Sequence, residues 1–413
     1  MRILVIAHFA GSPEYGMVFG HYYLAREWVK RGHQVTIVSA SFAHTRHKQP
    51  LARHLVTEQN IDGIRYLWLR VPRYRAHSRL GRVLNIVSFA LMCKLLWRRF
   101  GCFDAVVCSS HHPLPIFTAD RIARESKAPL VFEVRDLWPL TLIELGGAST
   151  LNPLIVWMQR AEDFAYARSD RIVSVLPYAL EYMKPHGARP DKFVYIPNGV
   201  EPLMATEPLP QQHMDRLSAL RASGRRLIGY AGRVGLANAL DACLLGLQYV
   251  SDPSWTLVVL GHGPHCPGLL DLAARKGLAD RLLVLSPVSH RQSQEFLRHV
   301  DLAYLGLQDK RLFRYGVSST KLNDYLLAAK VVVCAVPSPP DAVVASGAGI
   351  VCPPEDHRAI ASAIDKLGQL TTEQLGAMGT AGRSWLLANR RYEDLAAQFL
   401  EAMKPEEVMT AVR

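Results

Sequence analysis

The sequence predicts an α/β protein with two doubly wound parallel-sheet domains, and three observations support this. The chain has 413 residues, of which 49% are apolar, so two domains of ordinary size can each form a core. Short apolar strands alternate with helical patterns, which is typical of parallel sheets covered on both faces. The alternation pauses near 196–201, Ile-Pro-Asn-Gly-Val-Glu, and a segment containing Pro and Gln follows at 202–212. We therefore place the domain boundary there.

In the first domain, β-branched and apolar runs predict the strands, and apolar residues spaced by three or four predict the helices. A Gly- and Pro-containing turn at 11–16 separates the first strand from the first helix, which ends before the Gly at position 32. The predicted strands are 3–7, 35–39, 105–109, 130–134 and 171–175, and the predicted helices include 19–30 and 83–96.

The second domain repeats this alternation. Its predicted strands are 227–231, 256–260, 282–285, 302–305 and 331–335, and ligands are expected at their carboxyl ends. The last segment, 373–403, is helical in pattern, with an expected break near 389–391.

The amino-acid composition limits which binding partners and which cellular compartment are expected. The net charge is +12 and the pI about 9.4, which suits nucleic acid, an anionic membrane or phosphorylated substrates. Seven cysteines lie scattered in apolar segments without a Cys-x-x-Cys pair, which indicates reduced thiols rather than disulfides or a zinc site. The first apolar run is too short for a signal-peptide core, and no run approaches about 20 apolar residues. We expect a cytoplasmic protein.

A small-residue turn at 316–320 leads into a helical pattern that carries Lys321 and Asp324. The N–H groups at a helix start attract anions, and Lys321 adds a positive charge on the first turn. Asp324, one turn later, can accept hydrogen bonds from a pair of sugar hydroxyls. These features predict a site for a diphosphate attached to a ribose. The alternative is a capped amphipathic helix whose Lys and Asp face solvent.

A glycine-rich turn, Gly232-Arg233-Val234-Gly235, follows the first strand of the second domain. Glycines let the backbone approach a phosphate, and the Arg233 guanidinium can bind two phosphate oxygens. The alternative is a tight strand-to-helix turn without a ligand.

Charged residues in the first domain cluster at strand ends. Glu133, Arg135 and Asp136 interrupt an apolar strand, where a buried charge needs a partner. Either they face a ligand, or they form a structural Arg–carboxylate cluster. His111 and His112 follow the preceding strand, and the sequence does not decide which of them faces a site. They could be plain loop residues, and without neighbouring acids or cysteines a metal is not expected.

Basic residues surround the predicted helix 83–96. This helix looks too short to span a membrane, but it could lie in an anionic interface with Trp97 and Phe100 as anchors. The alternative is an ordinary helix with basic ends. The basic residues of segment 70–100 are Arg70, Arg73, Arg75, Arg79, Arg82, Lys94, Arg98 and Arg99.

Four strings, GVSSTKLNDY, RDLWP, IPNGVE and GAGIVCPPED, together resemble family 4 of the retaining glycosyltransferases. The resemblance covers nearly the whole chain and is greatest to the bacterial branch that builds O-antigen, capsule and exopolysaccharide. It implies the GT-B fold, in which two Rossmann-like domains face each other across a cleft. Two positions differ from the family pattern: Gly316 stands where the family has a first Glu, and Asn238 where it has a Lys.

The resemblance implies domain bounds of 1–200, 201–385 and 386–413, the last segment returning to the first domain. It implies a catalytic role for Asp136 and for His111 or His112, and an acceptor-side role for Tyr15, Gly16, Glu133 and Arg135. The residues implied to bind the nucleotide-sugar are Gly232, Arg233, Gly235, Gly263, Val288, Ser319, Thr320, Lys321 and Asp324.

The implied reaction moves a hexosyl or N-acetylhexosaminyl group, with retention, from a nucleotide diphosphate donor, expected to carry UDP. The implied acceptor is a lipid-linked glycan on the cytoplasmic membrane face, reached through segment 70–100, and nucleic acid is not an expected partner. No Asp-x-Asp motif is present, so we expect neither a metal nor another cofactor. Two alternatives stay open: a GT-B sugar-nucleotide epimerase, and a non-catalytic partner subunit of the same fold.

Overall fold

The computed structural model describes residues 1–16, 20–44, 46–75, 78–202 and 206–404. The chain forms two compact units. Unit 1 comprises Met1–Gly199 with Tyr392–Arg413, and unit 2 comprises Val200–Arg391. The sequence placed the first boundary one residue later and the second six residues earlier.

Unit 1 contains an eight-stranded sheet in the order β3-β4-β2-β1-β5-β6-β7-β8. Neighbouring strands are parallel, except that β3 pairs antiparallel with β4 at one edge. The central strands are buried on both faces, which explains their continuous apolar sequence. The strands are β1 (Arg2–Ile6), β2 (Gln34–Ala40), β3 (Val56–Ile61), β4 (Ile64–Leu69), β5 (Ala105–Ser109), β6 (Leu130–Val134), β7 (Arg171–Ser174) and β8 (Phe193–Tyr195).

Among the described residues, six α-helices accompany this sheet before the chain enters unit 2. They are α1 (Gly20–Lys30), α2 (Arg79–Leu96), α3 (Ile116–Ser126), α4 (Leu140–Glu144), α5 (Pro153–Arg168) and α6 (Ala179–Met183). The predicted start of the first helix, residue 19, lies outside the described residues.

Unit 2 contains a six-stranded, fully parallel sheet in the order β11-β10-β9-β12-β13-β14. Its strands are β9 (Arg226–Ala231), β10 (Trp255–Leu260), β11 (Leu282–Leu285), β12 (Leu302–Gly306), β13 (Val331–Ala335) and β14 (Gly349–Cys352). Its helices are α7 (Gln211–Ala222), α8 (Leu240–Gly246), α9 (Cys266–Arg275), α10 (His290–Arg298), α11 (Arg311–Arg314), α12 (Thr320–Leu327), α13 (Asp341–Ser346), α14 (His357–Gly368) and α15 (Thr372–Asn389).

The final helix, α16 (Tyr392–Ala402), belongs to unit 1, and the chain breaks between α15 and α16 where the sequence predicted it. This helix packs on α1. The indole of Trp28 donates a hydrogen bond to the Ala396 carbonyl (3.0 Å), and its ring contacts Phe399 edge-on. Aromatic packing therefore fixes the C-terminal helix on unit 1.

The predicted fold class is confirmed, but two predictions about α2 are wrong: its start at residue 83, and that it is too short to span a membrane. The sequence placed its start at residue 83, whereas the helix begins at Arg79, where the Ser78 hydroxyl caps it by accepting from the Gly81 N–H. With the 3₁₀ turn that follows, Arg79–Arg99 has 21 residues. Among the described residues this is the one helix that, by length and composition alone, could cross a membrane.

Candidate active site

The N-terminus of α12 presents backbone donors together with a positive charge. Ser319 precedes the helix, and its side chain forms no capping hydrogen bond, so the first N–H groups lack a cap from this hydroxyl. Thr320 and Lys321 form the first turn. Burial lowers the pKa of the Lys321 ammonium, while the nearby Asp324 carboxylate raises it. This combination is the arrangement that proteins use to bind phosphate groups.

Lys321 is joined to the glycine-rich turn through Asn238. The Lys321 ammonium donates to the Asn238 side-chain oxygen (3.2 Å), and the Asn238 amide donates to the Arg233 carbonyl (3.2 Å). The Lys321 ammonium also lies 5.7 Å from the centre of the Tyr230 ring. Asn238, the position at which the resembled family carries a lysine, therefore connects the two basic residues.

Close packing at the ends of β9 and β10 requires glycine. Gly232 has a φ of +138°, and a Cβ added there would lie 2.8 Å from the Lys321 Cε. A Cβ at Gly261 would overlap the Gly232 carbonyl, and one at Gly263 would overlap the Val234 carbonyl. Gly235, in contrast, has an extended backbone that any residue adopts. Glycine at these positions therefore lets the loops after β9 and β10 pack against each other, with Gly232 beside Lys321.

Asp324 is paired with a residue that the sequence did not identify. The His290 Nε2 lies 2.8 Å from the Asp324 Oδ1, and this hydrogen bond raises the pKa of His290 despite partial burial. A ligand that binds the Asp324 carboxylate could therefore replace His290.

Two other residues singled out in the sequence lie nearby in the chain. Val288, two residues before His290, packs against the apolar core of unit 2. Gly316 has a φ of +122° before α12, a conformation that favours glycine.

In unit 1, Glu133 lies at the centre of a buried polar network. One carboxylate oxygen lies 2.6 Å from the His21 Nε2, and the other accepts from Arg135 (3.1 Å). Arg135 also donates to the Asn198 side chain (2.6 Å). Burial opposes ionisation, but His21 and Arg135 outweigh it and hold the pKa of Glu133 well below its usual value. This is the Arg–carboxylate cluster that the sequence left open as an alternative, and an acceptor contact by Glu133 or Arg135 stays a prediction.

The two adjacent histidines differ in their surroundings. His112 is 1% exposed, and its Nε2 lies 2.6 Å from the His8 Nδ1. His111 is 8% exposed, and its buried Nδ1 has no hydrogen-bond partner in the described part of the chain. Burial lowers the pKa of both, that of His112 to about 3, so both rings are neutral at physiological pH. The Nδ1 of His112 also has no partner among the described residues, so the two histidines differ in the contact of His112 with His8 and in the greater exposure of His111.

The other predicted site residues of unit 1 differ in how far a ligand could reach them. The Asp136 side chain is reached by solvent, although the protein around it raises the pKa of its carboxyl and Arg135 opposes this. Tyr15 is buried, and its hydroxyl donates to Gln59 (2.8 Å). Gly16 has a φ of +81°, and a Cβ there would overlap the His47 ring. Asp136 is therefore accessible to a ligand, whereas Tyr15 is held within the unit.

No group of three or more His, Cys, Asp or Glu side chains is arranged to hold a metal ion within the described ranges. Near the α12 N-terminus, positive charge comes from Lys321 and from the backbone N–H groups of the first turn.

Comparison with known protein families assigns each unit. Residues 16–199 match the glycosyl transferase 4-like domain, and residues 225–369 match the domain described as glycosyl transferases group 1. The chain is a glycosyltransferase. Among curated proteins, it is similar to the probable glycosyltransferase WbjE of Pseudomonas aeruginosa. The two are 24% identical over 322 residues, covering 75% of this chain and 77% of WbjE.

Solved structures show that this glycosyltransferase has the GT-B fold. One is Anabaena Alr3699/HepE in complex with UDP-glucose, at 14% identity and a TM-score of 0.65, covering 97% of this chain and 98% of that one. Another is WaaG, a glycosyltransferase involved in lipopolysaccharide biosynthesis, at 14% identity and a TM-score of 0.64, covering 97% of this chain and 99% of that one.

Proposed function

We propose that this glycosyltransferase transfers a hexosyl or N-acetylhexosaminyl group, with retention, from a UDP-sugar to a lipid-linked glycan during surface polysaccharide synthesis. The proposal for the donor rests on the Lys321–Asn238–Arg233 connection, which lies beside the N-terminus of α12, where the Ser319 hydroxyl forms no cap. The complex of the similar HepE with UDP-glucose supports UDP as the carrier.

In this proposal, the donor diphosphate binds at the glycine-containing loop after β9, beside Lys321. The Lys321 ammonium, the Arg233 guanidinium and the N–H groups of Ser319 and Thr320 neutralise the charge that develops as the sugar–phosphate bond breaks. Glycine at position 232 lets the Lys321 side chain lie against this loop, so that the ammonium and the loop backbone can contact the same phosphates. The Asp324 carboxylate accepts hydrogen bonds from the ribose diol after releasing His290.

Unit 1 supplies the proton acceptor for the incoming hydroxyl. Asp136 is the solvent-reached carboxylate of the unit's strand-end cluster and is proposed as the base. His111, neutral and the more exposed of the two adjacent histidines, is proposed to contact the transferred sugar or its phosphate. His112 is bonded to His8 and is not assigned a direct contact.

The lipid-linked acceptor is inferred from the exposed surface of α2. Four leucines spaced by 4, 7 and 4 residues lie on one side of this helix and form what we call the leucine face. They are Leu80, Leu84, Leu91 and Leu95, with exposed fractions of 71%, 52%, 51% and 65%. Exposed apolar patches of this kind mark protein or membrane contacts.

Charge around the leucine face favours an anionic membrane as its partner. Exposed basic residues stand at both helix ends, namely Arg73, Arg75, Arg79, Lys94, Arg98 and Arg99. On the opposite side, Ile86, Phe89 and Cys93 are buried against unit 1, so the helix would lie along the membrane rather than across it. The role of the similar WaaG in lipopolysaccharide biosynthesis agrees with a membrane-embedded acceptor.

The proposal is tested by incubating the protein with individual UDP-sugars and bacterial membranes that contain lipid-linked glycans. We expect UDP release and one new glycolipid, with the anomeric configuration of the donor retained by NMR, and much slower formation of both products with Lys321→Ala. Conversion of the UDP-sugar into its epimer without acceptor would identify an epimerase instead. No turnover with any UDP-sugar, together with no UDP binding, would contradict the donor assignment.

A further inference from the structure

A buried hydrogen-bond chain connects α2 with the loop that carries His111. Asn85, fully buried on the inner side of α2, accepts from the His8 Nε2 (2.8 Å). The His8 Nδ1 lies 2.6 Å from the His112 Nε2. His8 follows β1 and His112 follows β5, two strands that are neighbours in the sheet. The side chains of Asn85, His8 and His112 therefore connect α2 with the segments that follow β1 and β5.

The protonation state of His8 and His112 in this hydrogen-bond chain follows from the partners of the Asn85 amide. The Asn85 amide donates to the carbonyls of Pro72 (2.8 Å) and Phe42 (3.4 Å), so its oxygen faces His8 and the His8 Nε2 must carry a proton. Burial and the neighbouring His112 lower the pKa of His8, so the ring is neutral and its Nδ1 is an acceptor. His112 then donates from its Nε2. Each ring thus has one tautomer and one orientation.

Aromatic packing reinforces the same connection. Phe89 of α2 stacks on the His8 ring, with centroids 4.5 Å apart, and Phe9 contacts the His111 ring edge-on at 5.5 Å. The His111 backbone adjoins His112, whose ring is fixed by His8. The orientation of His111 consequently depends on a residue of α2 that itself has no access to a ligand.

We propose that Asn85 is a positioning residue: through His8 and His112 it holds His111 in the orientation required for sugar transfer, and so makes turnover depend on the placement of α2. This inference rests on the proposed role of His111. Asn85 would then be a buried residue that affects turnover, on the same helix whose exposed side carries the leucine face.

The test compares Asn85→Leu with Cys93→Ala, a variant that removes buried volume from the same side of α2 but does not touch the chain. With a soluble acceptor analogue and no lipid, we expect Asn85→Leu to lower kcat by about tenfold or more, with an unchanged KM for the UDP-sugar. Cys93→Ala should keep its kcat. Long-range ¹H–¹⁵N NMR should show altered His8 and His112 tautomers in Asn85→Leu only.

A second variant covers the case in which Asn85→Leu does not fold. Asn85→Asp keeps the volume but places a carboxylate against His8, which is otherwise faced by His112 and His111 from the β5 loop and by Arg46 from the segment after β2. The carboxylate favours a protonated His8, which cannot accept from His112. The aspartate also loses the amide donor to Pro72 and Phe42 at every pH, so its kcat should stay below that of wild type but rise more steeply from acidic to neutral pH.

Equal kcat values for Asn85→Leu and Cys93→Ala, or a pH profile of Asn85→Asp that matches wild type, would overturn the positioning role. Failure of the proposed function would look different. If wild type does not release UDP from any UDP-sugar, the function is wrong. The NMR comparison then still decides whether Asn85 sets the two tautomers, and unaltered tautomers in Asn85→Leu would overturn the inference by themselves.

Discussion

The imidazole of His290 and the carboxylate of Asp324 are joined by a 2.8 Å hydrogen bond across 34 residues of sequence. Asp324 is the residue proposed to receive the ribose diol of the donor, so His290 occupies the carboxylate when no donor is bound. The hydrogen bond to Asp324 raises the pKa of His290 above its usual 6.5. The pair is therefore strongest below about pH 6.5 and is lost as the pH rises through the folded-state pKa.

This relationship predicts a pH-dependent donor affinity. Below its pKa, charged His290 competes with the ribose hydroxyls for Asp324, so UDP should bind more tightly as the pH rises from about 6 to about 8. His290→Gln should bind UDP with a weaker pH dependence, because glutamine does not titrate. Isothermal titration calorimetry at the two pH values measures both. Identical pH dependence in wild type and His290→Gln would show that His290 does not compete with the donor.

A second prediction concerns Lys321. Removing a charge-assisted contact to the departing diphosphate should cost about 2 to 4 kcal/mol of transition-state stabilisation. Lys321→Ala should therefore lower kcat/KM by about 30- to 1000-fold while the thermal unfolding temperature changes little. Lys366→Ala, an exposed lysine on α14 of the same unit, is the matched control and should retain full activity. Near-normal kinetics in Lys321→Ala would exclude the proposed role.

The sequence predicted a part of the fold or of the site when the residues that form it are also close to each other in sequence. Lys321 and Asp324 lie on one helical turn, so spacing alone indicated a phosphate and ribose site. Parallel strands such as β5, β6 and β13 are buried, and their apolar runs matched the predicted bounds. The edge strand β3 was missed, because Val-Thr-Glu-Gln-Asn-Ile is mostly polar and partly exposed.

The contacts that sequence reasoning missed are set by sheet order. His8 and His112 are 104 residues apart and meet because β1 and β5 are adjacent, while Asn85 reaches His8 across 77 residues. No local pattern distinguishes such residues from ordinary core or loop positions. The start of α2 was missed for a different reason: Arg79-Leu80-Gly81 lacks an apolar pattern, and the Ser78 cap determines where the helix begins.

A third prediction concerns divalent metals. The charge of the leaving diphosphate is proposed to be neutralised by Lys321, Arg233 and backbone N–H groups, so the chemical step should not require an added ion. Turnover measured as UDP release should persist in excess EDTA. Complete loss with EDTA, reversed by Mg²⁺ or Mn²⁺, would show that a metal supplies the charge instead.

A fourth prediction concerns stability and does not depend on the function. Glu162 on α5 is buried and accepts hydrogen bonds from Tyr166, Tyr182 and Gln159. Burial raises its pKa to about 8 from the usual 4.5. Because the folded state holds the proton more tightly, this contribution is present below about pH 4.5 and is lost as the pH rises towards 8.

Glu162→Gln cannot ionise, so its unfolding temperature should decline less than that of wild type between about pH 5 and about pH 9. Glu181→Gln, at an exposed position of α6 in the same unit, should follow the wild-type decline. Differential scanning fluorimetry measures all three proteins. Parallel declines of wild type and Glu162→Gln would indicate that Glu162 has an ordinary pKa.

The fifth prediction concerns the membrane. Arg73, Arg75 and Arg79 are exposed beside the leucine face, whereas Arg82 interacts with Tyr74 and is less suited to substitution. Each basic residue near an anionic surface adds about 1 kcal/mol, so reversing the three to Glu should weaken binding to phosphatidylglycerol-containing vesicles by at least about 100-fold. Binding of wild type should also weaken as salt rises, because surface charges are screened.

Co-sedimentation at low and high salt measures this, with two comparison variants. Reversal of Arg275, Lys276 and Lys366, three exposed basic residues of unit 2, changes the net charge equally and should leave vesicle binding intact. Replacement of Leu84, Leu91 and Leu95 by Gln should weaken binding at both salt concentrations, since apolar burial is not screened. The Arg-reversed variant should lose activity on membrane acceptors but keep it on a soluble analogue. If all variants sediment with vesicles like wild type, or if wild type does not bind at low salt, α2 is not a membrane contact. Its leucine face then requires a protein partner instead.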